Sequence, residues 1–438
     1  MSQVAEQALT LAAVFEAFRR DAAYEAGGLA QTREAAFRRF LVTGFPTTRH
    51  EEWRHTNVTP IANTDFIRAP HAEISRAAAE PFLFAREIRH RVVLVNGRWS
   101  PALSSVDELP PGLSVRSLRA VLDAPAPALR GSLGAESHGQ TPFVDLNTAF
   151  FEDGVVIDVA AKTIVAEPLH VVCLTAPGKS PAMVCPRIVV MAGEQSQIFI
   201  VESYGGLSGG PSLTNAVTQI DLAPGAMVDH VKLQREPASA FHLAATFARV
   251  DRAATFTSHA VTLGGRIARN DIATTLAGDG AECTLDGLYV ADGDSLVDTH
   301  TTIDHAMPHC PSHELYKGIL AGKARAVFNG KIIVRQDAQK TNAKQTNKAL
   351  LLSDEAQVNT KPQLEIFADD VKCTHGAAIG QLDEDALFYM QARGIAAADA
   401  RNLMIHAFAG QVLDGVKEDV VRERAMRLLE EKLALWKV

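Results

Sequence analysis

At 438 residues the chain is long enough to bury a core of normal density and to form more than one structural unit. Its 51 acidic residues against 43 basic ones give a formal charge of −8. No Lys/Arg run supplies the positive field that a nucleic acid or an anionic membrane requires of a partner. A hydrophobic content of 47% excludes general disorder, and no stretch of about 18 uninterrupted apolar residues offers a membrane span.

Five cysteines (Cys173, Cys185, Cys283, Cys310 and Cys373) form no C-x-x-C pair. An odd, scattered set suits a reducing compartment better than a disulfide framework. The opening MSQVAEQALTLAAVFEAFRR lacks a basic start and a cleavage pattern, so it reads as a helix and the expected location is the cytoplasm.

Apolar residues at helical spacing (Val4, Ala8, Leu11, Phe15, Phe18, then Phe37, Phe40 and Leu41) predict an N-terminal helical region over 1–85, interrupted by Gly44 and Pro46. Trp53 sits among Arg49, Glu51, Glu52, Arg54 and His55, whose mixed signs suggest a Trp packed beneath solvated charges. RVVLVNGRW is a strand entering an Asn-Gly turn, and it opens a β region over 86–380. Short runs such as RIVVMAG, QIFIVESY, AMVDHVKL and CTLDGLYV follow without room for crossover helices, which argues against a doubly wound α/β sheet.

Small-residue turns recur at Gly193, Gly225, Ala254 and Ala281, at near-regular intervals of the kind solenoid repeats show. Two architectures fit, a β-solenoid and a large β-sandwich, and the unbroken series of short strands favours the solenoid. A helical region over 381–438 is expected to follow. Asp383 is its N-cap, Gly394 a stop after Arg393, a second helix contains Leu403, Met404, Ala407 and Phe408 and ends near Gly410, and a third contains Val421, Ala425, Leu428, Leu429 and Leu433. Leu435 and Trp436 are expected to pack against the body.

The richest chemistry lies in Pro362 to Gly394. If the segment is a strand, Asp369, Val371, Cys373 and His375 share one face, with Cys373 and His375 about 6 to 7 Å apart. A thiolate beside an imidazole suits zinc, copper or an iron–sulfur species. Two ligands are half a site, and a buried Cys beside a hydrogen-bonded His is the competing reading.

THTTIDHAMPHCPSHELYKG carries His300, His305, His309, Cys310 and His313 at spacings that look metal-binding. Strand alternation and the breaks at Pro308 and Pro311 separate them, so turn or interface histidines are expected instead. GILAGKARAV resembles a phosphate loop but is one residue short, lacks Ser or Thr after Lys323 and leads into a strand, so no ATP site is expected. The amides at Gln336, Gln339, Asn342, Gln345 and Asn347 suit a ladder between stacked turns. No hydrolase, zinc-protease or dinucleotide signature is present in the sequence, and the chain reads as a non-enzyme.

GFPTTRHEEWRHTN, VNGRWS, DHAMPHCPSHELYKGIL, AVFNGKIIVRQDAQKTNAKQTNKALLLSDEAQ and LEIFADDVKCTHGAAIGQLDEDALFYMQARGI together span nearly the whole chain, and with them it resembles the SufD family of the SUF iron–sulfur cluster assembly machinery. Ala378 and Ala392 depart from the residues usual in that family, where Thr and Ser are common. The resemblance implies a mainly β fold, a right-handed parallel β-helix between helical terminal regions, and a non-catalytic scaffold subunit of a SufBCD complex. It implies pairing with SufB through the β-helix ends, docking of a SufC ATPase on the C-terminal helices, and sulfur supplied indirectly by a cysteine desulfurase and a sulfur-transfer protein.

A transient iron or iron–sulfur cluster shared with SufB is implied at the position of His375, beside Cys373, gated by ATP hydrolysis in SufC. Asp369 or Asp370 would then be an outer or entry group. A flavin on the complex and a homodimer of the isolated chain are compatible with the resemblance. Two rivals stand beside it. A polysaccharide-active β-helix using Asp369 and Asp370 fails because adjacent strand residues point to opposite faces, and a purely structural interaction subunit without metal remains open.

Overall fold

The computed structural model describes residues 3–25, 28–84, 87–124, 141–207 and 209–436; the side chains of Val4 and Ala8 lie outside what it describes. Two sheets, of eleven and ten strands, share the chain alternately, so that it crosses from one sheet to the other and back in each turn. From Arg187 onward neighbouring strands are parallel and in register. Phe241 lies beside Ile267, and Arg325 lies beside Gln357 in a longer turn further on. Parallel pairing of each turn with the next is a solenoid, of about eight turns here; a sandwich would need antiparallel neighbours.

The first strands differ. His90–Val95 and Arg98–Trp99 form an antiparallel hairpin whose corner residues, Asn96 (φ 50°) and Gly97 (φ 77°), both take the left-handed conformation that an Asn-Gly turn permits.

Strand alternation gives each sheet an inner and an outer face. Ile198, Ile200, Val228, Phe256, Cys283 and Phe328 fill the lumen. Outside, the eleven-stranded sheet carries the N-terminal unit, in which Phe15, Phe18, Phe37, Phe40 and Trp53 pack with Phe143 and Phe150 onto Leu213, Phe241 and Ile267. The helix Pro142–Phe150, inside the β region of the sequence, therefore belongs to this helical layer. Leu41, expected on the buried side, faces solvent.

The ten-stranded sheet carries the C-terminal helices, with Ile405, Ala409, Val412, Val421, Ala425 and Leu429 against Val201, Val231, Val261, Leu288 and Ile319. Helix Glu384–Ala392 begins as expected, its Asp383 carboxylate accepting from the Asp385 and Ala386 N–H groups, and it stops before Gly394 at φ 88°. The next helix, Ala397–Leu413, does not end near Gly410. A glycine inside a helix costs only about 1 kcal/mol, and burial of Ala409, Val412 and Leu413 carries the helix past it. The buried face is Ala400, Ile405 and Ala409, so Leu403 is left 52% exposed. Among the described residues no helix is long and apolar enough to cross a membrane.

Two tyrosines interlock with glycines inside the lumen. Gly287 is paired with Tyr316 and Tyr289 with Gly318, and a Cβ on either glycine would enter the ring beside it. Gly287→Ala and Gly318→Ala are each expected to cost about 1–3 kcal/mol through overpacking, read as a lower midpoint in urea denaturation. An unchanged midpoint would mean that the rings have room to move.

Candidate functional site

The last turn consists of strands Gln357–Ile366 and Lys372–Gly380, each with a neighbour on one side only. Earlier turns of the solenoid bury their inward side chains, but these two strands are exposed or half-buried throughout. Unpaired backbone groups and exposed inward side chains leave this end of the solenoid without a further turn.

Cys373 pairs with Ala343 and His375 with Gln345, both of which are buried inward-facing residues. The two side chains therefore share the inner column, as the alternation predicts, and the absence of a following turn leaves His375 exposed and Cys373 half-buried. Cys373 and Val371 pack at the edge of a small cluster of Ile332, Val334, Ala338, Ala343 and Ala368. Burial pushes the Cys373 thiol up, against the lowering influence of a hydrogen bond from the Ala343 backbone, so a metal bound there must displace the proton.

The aspartates do not join this face. The strand begins only at Lys372, and Asp369 and Asp370 lie in a bend before it. Asp370 is tied to Lys340, whose N–H donates to its carbonyl at 2.7 Å and whose ammonium pairs with its carboxylate. Among the described residues no group of three or more His, Cys, Asp or Glu is arranged to hold a metal ion.

The histidine-rich segment is dispersed as expected. His300 is on the outer face of the eleven-stranded sheet and His305 turns inward to Ser312 Oγ at 3.0 Å. His309 occupies a corner at φ 57°, Cys310 is buried and donates to the Gly278 carbonyl at 3.4 Å, and His313 lies 3.7 Å from Asp286 on the ten-stranded sheet. The amide ladder is also partial. Gln345 and Asn347 are inside the lumen, but Gln345 donates to Glu314 and Asn347 to the Tyr316 carbonyl, not to one another's kind.

Two charged constellations escaped the sequence reading. The first is a cleft of about 580 Å³ between the N-terminal segment and the outer sheet face, lined among others by His50, Glu52, Trp53, Arg269, His300 and Lys331. Trp53 is packed as anticipated, but the charges around it are not simply solvated. Arg269 lies 3.8 Å from the Trp53 ring centroid and donates to Asp298 at 2.6 Å and to the Glu52 carbonyl at 2.8 Å. The Glu52 carboxylate accepts from His300 at 3.1 Å and from Asn329 at 3.0 Å, and Glu51 pairs with Lys361. The segment thus straps successive turns, from Arg269 up to the penultimate strand.

The second constellation is inside the lumen. Glu202 accepts from Tyr204 OH at 2.6 Å, Thr218 at 3.0 Å and His230 Nε2 at 3.0 Å, while Glu236 lies 2.8 Å from His242 and Lys232 donates to Asn270 at 2.6 Å. Burial alone would raise Glu202, but His230, Lys232 and Tyr204 together hold its carboxyl down at about 2. The signal was present in QIFIVESY, where Glu202 falls on the same parity as Ile198 and Ile200.

Comparison with known proteins bears on this arrangement. The family described as "SUF system FeS cluster assembly, SufBD core domain" matches residues 174–408, and "SufBD protein N-terminal region" matches 9–171. An iron–sulfur cluster assembly SufBD family protein of Synechocystis is 36% identical over 379 residues, 85% of this chain and 84% of that one. The iron–sulfur cluster assembly protein SufD of Escherichia coli is 31% identical over 94% of this chain and 95% of its own. The chloroplastic protein ABCI7 of Arabidopsis thaliana is 29% identical over 91% of this chain and 84% of its own.

Proposed function

Because the chain belongs to the SufBD family of iron–sulfur cluster assembly proteins, we propose that it is a D-type scaffold subunit whose open solenoid end provides half of an assembly site. The observation that carries this reading is the inward column of Cys373 and His375 on a strand with no outer neighbour. A partner solenoid of the SufB type would pair its backbone with that edge and add the missing donors. A soft thiolate and an imidazole then hold iron or a nascent cluster as cargo. In the isolated chain a second copy would meet the same edge, giving a homodimer.

The C-terminal helices suit a SufC-type ATPase. Phe388, 74% exposed, Tyr389 and Leu403 present apolar side chains to solvent on the two helices that follow the open strand directly. Lys317 ties this unit to the solenoid through the Phe408 carbonyl at 2.7 Å, and Lys417 ties it through Asp229 at 2.7 Å. Movement of the helices on ATP binding would reach the last turn through the short connection between Gly380 and Glu384, opening the partner-covered end at Cys373 and His375.

The test is anaerobic reconstitution of the complex with its SufB and SufC partners, followed by iron and sulfide analysis. His375→Ala is expected to lower cluster content at least tenfold while the complex still forms on size exclusion. Normal cluster content in that variant would leave a purely structural subunit, in which only removal of the C-terminal helices abolishes assembly.

A further inference from the structure

From Gln197 onward each strand of the ten-stranded sheet is entered through a corner, and the corners stack into a column. Two residues before successive strands lie Gln195, Gly225, Ala253, Gly280, His309 and Lys340, all left-handed at φ 53–69°. From Gln195 to His309 each N–H donates to the next turn, always to the residue that precedes the next member of the column. Gln195 reaches the Pro224 carbonyl at 3.0 Å and His309 the Gln339 carbonyl at 2.9 Å.

The last corner departs from this rule. Asp370 holds the column position before Lys372–Gly380 without taking the left-handed conformation, and the Lys340 N–H donates at 2.7 Å to the carbonyl of Asp370 itself. Side chains join in here. Gln339 Oε1 accepts from the Asp370 N–H at 2.9 Å while its Nε2 donates to the Gln336 carbonyl at 2.9 Å, so the amide is held at both ends. The Lys340 ammonium pairs with the Asp370 carboxylate, and the Lys372 N–H donates to the Thr341 carbonyl at 2.8 Å. An exposed ion pair contributes little alone, which leaves Gln339 as the chief side-chain fastening.

The strand that follows holds its own register poorly. Lys372–Gly380 has a neighbour on one side only, and Gly376, Ala377, Ala378 and Gly380 give it little to pack with. A slip of one residue would turn Cys373 and His375 to the outer face, and a slip of two would carry Cys373 from Ala343 to Gln345. We propose that Gln339, together with Lys340, is a positioning residue for this donor pair: it fixes the bend at Asp369 and Asp370 and thereby keeps Cys373 and His375 inward and in register on an edge strand. The fastening is a property of the chain itself. Its use in assembly rests on the reading of Cys373 and His375 as donors of an assembly site.

Alkylation of the full chain with iodoacetamide across a range of pH, resolved by site with mass spectrometry, tests the proposal. In the wild type burial raises the half-buried Cys373 thiol, so its reaction sets in late as pH rises. In the Gln339→Met/Lys340→Met double variant the strand frays, and Cys373 is expected to react about tenfold faster at neutral pH with its profile moved to lower pH. Buried Cys310, next to the preceding corner at His309, stays unreactive. Lys340→Arg keeps the fastening and is expected to match the wild type. An unchanged Cys373 profile in the double variant would overturn the proposal, and so would equal gains at Cys373 and Cys310, the mark of a general loosening of the solenoid. In the reconstituted complex the double variant is expected to lower cluster content as His375→Ala does. Normal content in both, with Cys373 still faster, would remove the assembly reading and keep the positioning. Loss in His375→Ala with normal content in the double variant would overturn the positioning alone.

Discussion

Replacing Arg269 by alanine is expected to destabilise the protein by about 3 kcal/mol, the low end for breaking a buried ion pair, because fully buried Asp298 loses its guanidinium and keeps only His300 as a cationic neighbour. The remaining contacts of Asp298 are the Thr56 hydroxyl at 2.6 Å and His300 at 3.0 Å, which replace only part of what Arg269 supplies. Arg269→Lys would restore the charge but not the fork that also reaches Asp271 and the Glu52 carbonyl, nor the stacking on Trp53. Trp fluorescence during urea denaturation is the measurement, and a midpoint unchanged by Arg269→Ala would refute the account.

The same cluster has an alkaline limit. Burial lowers the His300 imidazole, but Asp298 overrides it and holds the group at about 9, above its ordinary value of 6.5. A raised folded-state value contributes stability fully below about 6.5 and loses it as pH rises through about 9. Release of the N-terminal segment should therefore come with alkalinisation.

A comparable loss, about 3–5 kcal/mol, is expected for Glu202→Ala inside the lumen. Tyr204, Thr218 and His230 would lose their common acceptor, and Lys232 would lose the negative charge that attracts it most. The Glu202 carboxyl is depressed from 4.5 to about 2, so its contribution is present above about 4.5 and disappears as pH falls toward 2. Wild type should thus lose stability steeply with acid over that interval, and Glu202→Ala should show a shallower slope there. Parallel acid profiles for the two proteins would sink this explanation.

The pairing of Cys373 and His375 is legible in the sequence because strand alternation is a local property, needing only that the segment be extended. Asp369 falls off that face because nothing nearby in the sequence marks where the strand begins; the bend is fixed by Lys340, thirty residues earlier. The role of Glu52 is illegible for a stronger reason. Its partners His300 and Asn329 are 248 and 277 residues away, and turn lengths that change along the solenoid prevent any register from being counted forward. The second C-terminal helix spreads Asp399, Arg401, Asn402, His406 and Gln411 among apolar residues on several sides, so its sequence does not mark one buried face, and only the sheet it lies on selects Ile405 over Leu403.

The contact between Glu51 and Lys361 spans 310 residues. A nascent chain elongating at roughly 5–20 residues per second exposes Glu51 about 15–60 s before Lys361 exists. During that interval Phe37, Phe40 and Trp53 have only the early turns to shelter them. Completion of the strap is therefore a late event of synthesis, and the fully assembled open end and the settled N-terminal unit arrive together.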